Sequence, residues 1–166
     1  MIIIFEGPDK TGKTSIAQKL SEVTSIPYFK FELEKEIFNT ENAFFNLLKY
    51  GFPLLVQFLK QTKTDVILDR SYPSEIVYSL VFNRKTDPSI LKWADKQFKE
   101  MGAVVVLCYK DKVTEQDEII DSNYYEEIKE AYMNLKLEIP IYYLNTTDQN
   151  LEKQIQFLQK NFSILL

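Results

Sequence analysis

The residues best suited to chemistry lie near the N-terminus, in the stretch FEGPDKTGKTS at positions 5–15. This stretch fits the GxxxxGK[ST] pattern of a phosphate-binding loop. In such a loop, glycines let the backbone close around a polyphosphate, so that successive N–H groups and a helix N-terminus face the anion. Lys13 would add a positive charge, and Thr14 would ligate Mg²⁺. The stretch therefore predicts a polyphosphate site that also holds a metal ion.

The segments on both sides of this loop support the same prediction. The three isoleucines at 2–4 are β-branched and apolar, which is typical of a buried strand, and apolar residues at helical spacing follow over 15–23. The chain has four glycines, and two of them, Gly7 and Gly12, lie in the loop. A plain strand-to-helix turn is the alternative, but chance matches to the pattern rarely have a strand before the loop and a helix after it.

A second chemical signal comes where the apolar run 66–68 ends in Asp69 and Arg70. A carboxylate at the end of a buried strand can hold Mg²⁺ directly or through water, and the planar guanidinium of Arg70 could grip a second phosphate. The alternative is an ion pair between Asp69 and Arg70 that only finishes the strand. The phosphate loop in the same chain favours the metal and phosphate roles.

Strand and helix patterns alternate along the chain, and this order predicts the fold class. Short apolar runs typical of strands occur at 1–5, 27–31, 65–69, 103–109 and 140–144. Helical patterns separate them; one helix would begin at Asn39 or Thr40, and Gly102 is placed to end another. Apolar strands separated by helices indicate a single α/β domain over 1–166, with three layers and a five-stranded, largely parallel sheet. Ligands of such sheets bind at the carboxyl ends of the strands.

The composition excludes several classes of protein. A net charge of −4 argues against a protein that coats nucleic acid, because neutralising phosphates needs a basic face. One cysteine, Cys108, and no histidine leave no disulfide framework and no zinc site. No apolar run approaches the roughly 20 residues that span a bilayer. We expect a cytoplasmic protein without nucleic-acid or membrane partners, in which the Cys108 thiol is buried in the core.

Two segments carry a family resemblance. The sequences FEGPDKTGKT at 5–14 and DRSYPSEIVY at 69–78 resemble the FEGxDxxGKT and DR[YHS]xxSxxAY patterns of thymidylate kinases. Weaker similarity at 126–132 and 142–147 extends the resemblance over nearly the whole chain. It implies the P-loop NTPase fold, ATP and Mg²⁺ as cofactors, and transfer of the γ-phosphoryl of ATP to a deoxynucleoside monophosphate, with dTMP giving dTDP. It also implies a homodimer that pairs through helices.

The resemblance also assigns roles to individual residues. The residues implied to bind ATP are Gly7, Pro8, Asp9, Lys10, Thr11, Gly12, Lys13, Thr14, Ser15, Asn145 and Thr146. The residues implied to bind the acceptor are Asp9, Lys30, Phe45, Lys49, Arg70, Ser74 and Tyr78. The residues implied in phosphoryl transfer are Lys13, Arg70, Lys10 and Asp9, and those implied to hold the metal are Thr14 and Asp69.

On the acceptor side, the resemblance implies a separate task for each side chain. Arg70 and Lys30 would share the acceptor phosphate. Phe45 would stack on the base, with Phe44 as the rival position one residue earlier, and Lys49 would reach a base carbonyl.

The chain departs from the family pattern in two places. Tyr78 would select deoxyribose by filling the space beside the 2′ position, but the glutamine that often follows this tyrosine is Ser79 here. The lid-like segment, at about 111–125, has no arginine, and Lys112 is its only cation. Either the charge that lid arginines provide comes from Lys10, Lys13 and Mg²⁺, or the enzyme is slow.

Two other functions remain open. A deoxynucleoside kinase shares the phosphate loop and has a similar Glu/Asp-Arg-Ser motif, but it needs a carboxylate base after the second strand, for which Glu32 or Glu34 would qualify. The other open function is that of a nucleotide-binding protein without transferase activity, and the absence of arginines from the lid-like segment favours it.

Overall fold

The computed structural model describes residues 1–30, 47–112 and 122–162. Its strands are β1 (Ile2–Glu6), β2 (Tyr28–Lys30), β3 (Val66–Asp69), β4 (Val104–Tyr109) and β5 (Ile141–Asn145). Its helices are α1 (Lys13–Thr24), α2 (Phe52–Thr62), α3 (Tyr72–Val81), α4 (Pro88–Glu100), α5 (Ser122–Met133) and α6 (Leu151–Phe162), with a π-helical turn, Leu47–Gly51, before α2. The five predicted strands and their alternation with helices are confirmed.

The five strands form one sheet in the order β2-β3-β1-β4-β5, and every neighbouring pair is parallel. Strand β1 lies at the centre, where Phe5 is beside Asp69 of β3 and Glu6 is beside Leu107 of β4. The carboxyl ends of these three strands therefore meet at one edge of the sheet. Parallel neighbours need crossover connections, which the intervening helices supply.

Side chains of the central strand alternate between two cores. Ile2 and Ile4 pack with residues of α2, α3, α4 and α5, whereas Ile3 and Phe5 pack with residues of α1 and α6. This alternation is the period of two that a strand imposes, and it covers both faces of the sheet with helices. The three-layer α/β fold predicted from the sequence is confirmed.

Local signals in the sequence set the end of β3 and both ends of α4. Only Arg70 and Ser71 separate β3 from α3, so the strand is followed at once by a helix N-terminus. The Asp87 carboxylate accepts hydrogen bonds from two backbone N–H groups in the first turn of α4, as an N-cap residue does. Gly102 follows the end of α4 with φ of +70°, so its predicted role in ending that helix is confirmed.

Two predicted segments lie partly or wholly outside the described residues. They are the beginning of the helix at Asn39 or Thr40 and the central part, 113–121, of the lid-like segment. Within the described ranges, none of the helices combines the length and the apolar character that crossing a bilayer requires.

Candidate active site

The phosphate loop at 7–12 connects β1 to α1, and its shape depends on close contact with β4. At Gly7, φ is +128°, and an added Cβ would lie 2.0 Å from the carbonyl oxygen of Cys108. At Gly12, which precedes the first turn of α1, φ is +79°. Glycine adopts such angles without steric cost, so both positions explain why the motif needs glycine there. The predicted loop between a buried strand and a helix is confirmed.

The Lys13 side chain is folded into the loop and is only 5% exposed. Its Nζ donates a hydrogen bond to the Pro8 carbonyl oxygen at 2.6 Å, and the Thr11 hydroxyl donates to the same oxygen at 2.9 Å. Burial, followed by the like charge of Arg70, lowers the pKa of Lys13 to about 8. An anion bound in the loop would favour the charged ammonium and offset that cost.

The two predicted metal ligands lie together at the mouth of the loop. The Thr14 hydroxyl donates to Asp69 Oδ2 at 2.6 Å, and the Tyr28 hydroxyl donates to the same oxygen at 2.9 Å. Mg²⁺ prefers oxygen ligands and usually takes one or two carboxylates together with phosphate oxygens and water. One carboxylate and one hydroxyl beside a phosphate loop fit that preference. Within the described ranges, no cluster of three or more His, Cys, Asp or Glu side chains suggests a metal site elsewhere.

Arg70 occupies the turn between β3 and α3 in a left-handed conformation, with φ of +72°. Its backbone N–H donates to the Phe5 carbonyl oxygen at 2.9 Å, which ties the turn to the central strand. Its guanidinium forms an ion pair with Asp9 of the phosphate loop and not with Asp69. The structure therefore does not bear out the alternative in which Asp69 and Arg70 pair to finish the strand. The ion pair instead links the β3 turn to the loop.

The other edge of the guanidinium faces inward. Arg70 Nη1 donates to the Ser74 hydroxyl at 3.1 Å and to the Tyr132 hydroxyl at 3.2 Å. Its Cζ lies 5.3 Å from the centroid of the Tyr78 ring, within the range of a cation–π contact. Of the residues predicted to bind the acceptor, Ser74 and Tyr78 thus lie directly against Arg70.

Glu6, the last residue of β1, is a functional candidate that the sequence reasoning missed. Its side chain is 0% exposed, and its carboxylate accepts hydrogen bonds from Ser71 N at 2.8 Å, Ser74 Oγ at 2.5 Å and the Tyr132 hydroxyl at 3.0 Å. Burial raises the pKa of Glu6 above its usual value, although the Arg70 charge and these hydrogen bonds act in the opposite direction. An acidic residue ending an otherwise apolar strand was the available signal.

The phosphate loop, the two predicted metal ligands and Arg70 surround one cavity of about 230 Å³ at the carboxyl edge of the sheet. It is lined by Asp9, Lys10, Gly12, Lys13, Thr14, Ser15, Lys30, Asp69 and Arg70. Every one of these residues was predicted from the sequence to bind nucleotide or metal. Four cationic side chains against two carboxylates give the cavity an excess of positive charge, which suits a phosphate-bearing ligand.

The remaining predicted residues lie elsewhere or outside the described ranges. Lys49 is exposed in the π-helical turn, where its Nζ is 5.6 Å from the Tyr50 ring centroid, and it does not line the cavity. Phe45 and its rival Phe44 are outside the described residues. The predicted contact of these three side chains with a base therefore stays a prediction.

Asn145 and Thr146, predicted to bind ATP, lie at the carboxyl end of β5. The Asn145 side chain donates to Asp111 Oδ2 at 2.8 Å, and both the N–H and the hydroxyl of Thr146 donate to the Tyr109 carbonyl oxygen. These bonds join the β5 end to the end of β4. Both residues are on the same edge of the sheet as the cavity, but neither lines it.

The parallel sheet and the phosphate loop between β1 and α1 give the chain the three-layer α/β fold that the sequence predicted, and solved structures share this fold. The chain is similar to the YorR protein from Bacillus subtilis in complex with phosphorylated GDP, at 22% identity with a TM-score of 0.71, and 98% of each chain is covered. It is also similar to deoxyadenosine kinase from M. mycoides with dCMP and dCDP, at 17% identity with a TM-score of 0.62, covering 99% of this chain and 100% of that one. The same enzyme with dATP gives 16% identity and a TM-score of 0.62, with 98% and 100% covered.

No protein-family model matches the chain, and no curated protein matches it in sequence. The similar structures support the predicted fold, but they do not distinguish thymidylate kinase from other nucleoside and nucleotide kinases.

Proposed function

We propose that this protein transfers the γ-phosphoryl group of ATP to a deoxynucleoside monophosphate, with dTMP as the acceptor expected from the family resemblance. The observation that carries the proposal is the shared cavity, in which Lys13 of the phosphate loop and Arg70 of the β3 turn line the same space. Phosphoryl transfer needs a donor phosphate and an acceptor phosphate side by side, each held by positive charge.

The phosphate loop serves the donor in this proposal. Its backbone N–H groups and the N-terminus of α1 hold the phosphates, and Lys13 supplies charge to the group in transfer. Lys10, which has a left-handed φ of +61° and also lines the cavity, adds a second ammonium on this side. Thr14 and Asp69 would hold Mg²⁺, which supplies neutralisation of the phosphate charge when it is bound.

Arg70 serves the acceptor. Its planar fork matches a phosphate group, and Lys30 at the end of β2 lines the cavity beside it. Asp9, whose side chain is 52% exposed, holds the cavity-facing edge of the guanidinium. An acceptor phosphate would take the place of Asp9 at that edge, because it carries more charge than a carboxylate and also presents oxygen acceptors to the guanidinium.

The chemistry of the nucleophile favours a monophosphate over a nucleoside. A phosphate oxygen is already ionised at neutral pH, whereas a 5′-hydroxyl needs a general base to take its proton. The two carboxylates that line the cavity are both engaged, Asp9 with Arg70 and Asp69 with the hydroxyls of Thr14 and Tyr28. The described part of the site is therefore richer in phosphate-binding groups than in bases.

A deoxynucleoside kinase is the second candidate, and the structural likeness to deoxyadenosine kinase from M. mycoides favours it. It would need Glu32 or Glu34 as the base, and both lie outside the described residues.

A coupled assay of ADP release tests the two functions. The purified protein is given ATP and Mg²⁺ with each deoxynucleoside and each deoxynucleoside monophosphate in turn. Turnover with dTMP or another monophosphate supports the proposal, and turnover with nucleosides alone supports the second candidate. If no acceptor gives ADP release and the protein still binds ATP, the result supports a nucleotide-binding protein without transferase activity. Sedimentation of the same sample tests the homodimer that the family resemblance implies.

A further inference from the structure

We propose that Glu6 is a positioning residue for phosphoryl transfer, whose buried carboxylate fixes the guanidinium of Arg70 through the hydroxyls of Ser74 and Tyr132. Its effect on catalysis rests on the proposed function, whereas its contacts are a property of the fold.

The three groups form a closed set of contacts behind Arg70. Glu6 Oε2 accepts from Ser74 Oγ at 2.5 Å and from the Tyr132 hydroxyl at 3.0 Å, and the two hydroxyls are 3.0 Å apart. Both hydroxyl oxygens accept from Arg70 Nη1, at 3.1 and 3.2 Å. The set joins the end of β1, the first turn of α3 and the last part of α5. Arg70 is therefore anchored by side chains from three elements.

The charge of Glu6 determines which way these hydrogen bonds run. A carboxylate only accepts, and each hydroxyl has a single proton to give. When Ser74 and Tyr132 direct their protons towards Glu6, their oxygens keep the lone pairs that Arg70 needs as acceptors. An amide at position 6 would offer an NH₂ group to the same hydroxyls and compete with Arg70 for those lone pairs. A side chain of the same shape as glutamate, such as glutamine, is therefore not enough to hold Arg70 in the same way.

The two edges of the Arg70 guanidinium have different surroundings. Nη1 faces the buried set, whereas Nη2 faces Asp9 at the cavity. Exchange of Asp9 for an acceptor phosphate would change only the Nη2 edge. The hydrogen bonds at Nη1 would keep the guanidinium in place during that exchange. Because Glu6 orients the hydroxyls that make these bonds, it reduces the conformational entropy that the Arg70 side chain must lose when the acceptor binds.

The position of Arg70 can be measured without any substrate. The chain contains two arginines, Arg70 and Arg84, so the guanidinium region of a ¹⁵N–¹H NMR spectrum has two sets of signals, and Arg84→Lys assigns them. We expect Glu6→Gln and Tyr132→Phe each to shift or broaden the Arg70 signals and to leave those of Arg84 in place. Tyr132→Phe keeps the aromatic ring and serves if Glu6→Gln does not fold. Unchanged Arg70 signals in the folded variants would overturn the proposal.

Kinetics then test the catalytic consequence. Glu6→Gln should raise the KM for the acceptor about tenfold, as expected for a weakened hydrogen bond to a charged group, and leave the KM for ATP nearly unchanged. The matched control is Asp95→Asn, because the buried Asp95 carboxylate also accepts from a tyrosine hydroxyl, that of Tyr72 at 2.6 Å, and from a backbone N–H, that of Glu138 at 2.8 Å. We expect this control to lose stability without a change in acceptor KM.

The outcomes separate the two proposals. If the unmodified protein phosphorylates no nucleotide, the proposed function fails, and the Arg70 signals still decide whether Glu6 positions this side chain. If the protein is active and Glu6→Gln behaves like Asp95→Asn, losing stability with an unchanged acceptor KM, then Glu6 is only structural.

Discussion

The two walls of the cavity are built in different ways. The phosphate loop consists of consecutive residues, and its shape is set by backbone angles and by contact with β4 at Gly7. The wall around Arg70 is made of side chains from three elements, and its longest link, from Glu6 to Tyr132, spans 126 positions of the sequence. A wall made of backbone tolerates side-chain changes outside its few special positions. A wall made of side chains depends on each partner and on the charge that each one carries.

The largest effect on activity should come from Lys13→Ala, which removes the buried ammonium of the phosphate loop and leaves Lys10 in place. We expect turnover to fall by about 10³-fold, because a donor that stabilises developing charge in a water-poor site is worth roughly 10²–10³ or more in rate. The ADP-release assay measures it. Lys19→Ala is the control on the same helix, because Lys19 is exposed and pairs with Glu22 at 2.9 Å. Near-normal turnover in a folded Lys13→Ala variant would remove the phosphate loop from the mechanism.

Gly7→Ala tests whether the phosphate loop depends on its contact with β4. The new Cβ would lie 2.0 Å from the Cys108 carbonyl oxygen, a distance that no side-chain movement relieves. Gly102→Ala is the matched control, since its φ of +70° is also left-handed but an added Cβ would meet nothing within 4 Å. We expect Gly102→Ala to lower the free energy of unfolding by about 1–2 kcal/mol and Gly7→Ala to lower it by more. Equal losses in urea denaturation would mean that β4 does not shape the loop.

Arg70→Lys tests the wall made of side chains, because it keeps the charge and removes the fork. The loss of one charge-assisted hydrogen bond, roughly 1.5–3 kcal/mol, should raise the acceptor Kd by about 10- to 100-fold and leave ATP affinity nearly unchanged. Isothermal titration measures both affinities. Arg84→Lys makes the same exchange at an exposed position that does not line the cavity, and it should have little effect. Loss of ATP affinity alone would place Arg70 on the donor side.

The smallest effect should be on the pH dependence of stability, and it concerns the charge buried at Glu6. Because burial raises the pKa of Glu6 in the folded protein above its unfolded value, this group favours folding below the unfolded pKa and loses that contribution as pH rises through the folded pKa. Glu6→Gln has no such loss. The free energy of unfolding of the variant minus that of the unmodified protein should therefore be larger at pH 7 than at pH 4, which means that the variant is relatively more stable at pH 7. Urea denaturation at the two pH values checks the sign, and the reverse trend would contradict it.

The sequence predicted the residues of the phosphate loop almost completely, but it predicted the wall around Arg70 only in part. The phosphate loop is a contiguous motif, and the apolar runs that become strands are recognised within short windows. The position of the loop between β1 and α1 and the five strands were therefore confirmed, and phosphate binding by the loop stays a prediction. The motif at 69–78 indicated Arg70 and Ser74, but nothing in it shows which distant groups hold them. Tyr132 at helical spacing looks like an ordinary core aromatic. Its hydroxyl meets Arg70 only because α5 packs beside α3, which is a tertiary contact.

The contact between Gly7 and β4 also gives the molecule a chemical reporter. Cys108 is the only cysteine of the chain, and its thiol is buried in the core that α1 covers. Burial raises the pKa of Cys108 to about 12, so the reactive thiolate is scarce while the core is closed. Alkylation must then wait for local opening of the structure beneath the loop, and its rate measures how often that opening occurs. A ligand that holds the loop against β4 would slow the alkylation of Cys108. The alkylation rate would then report ligand binding at the phosphate site without any need for turnover.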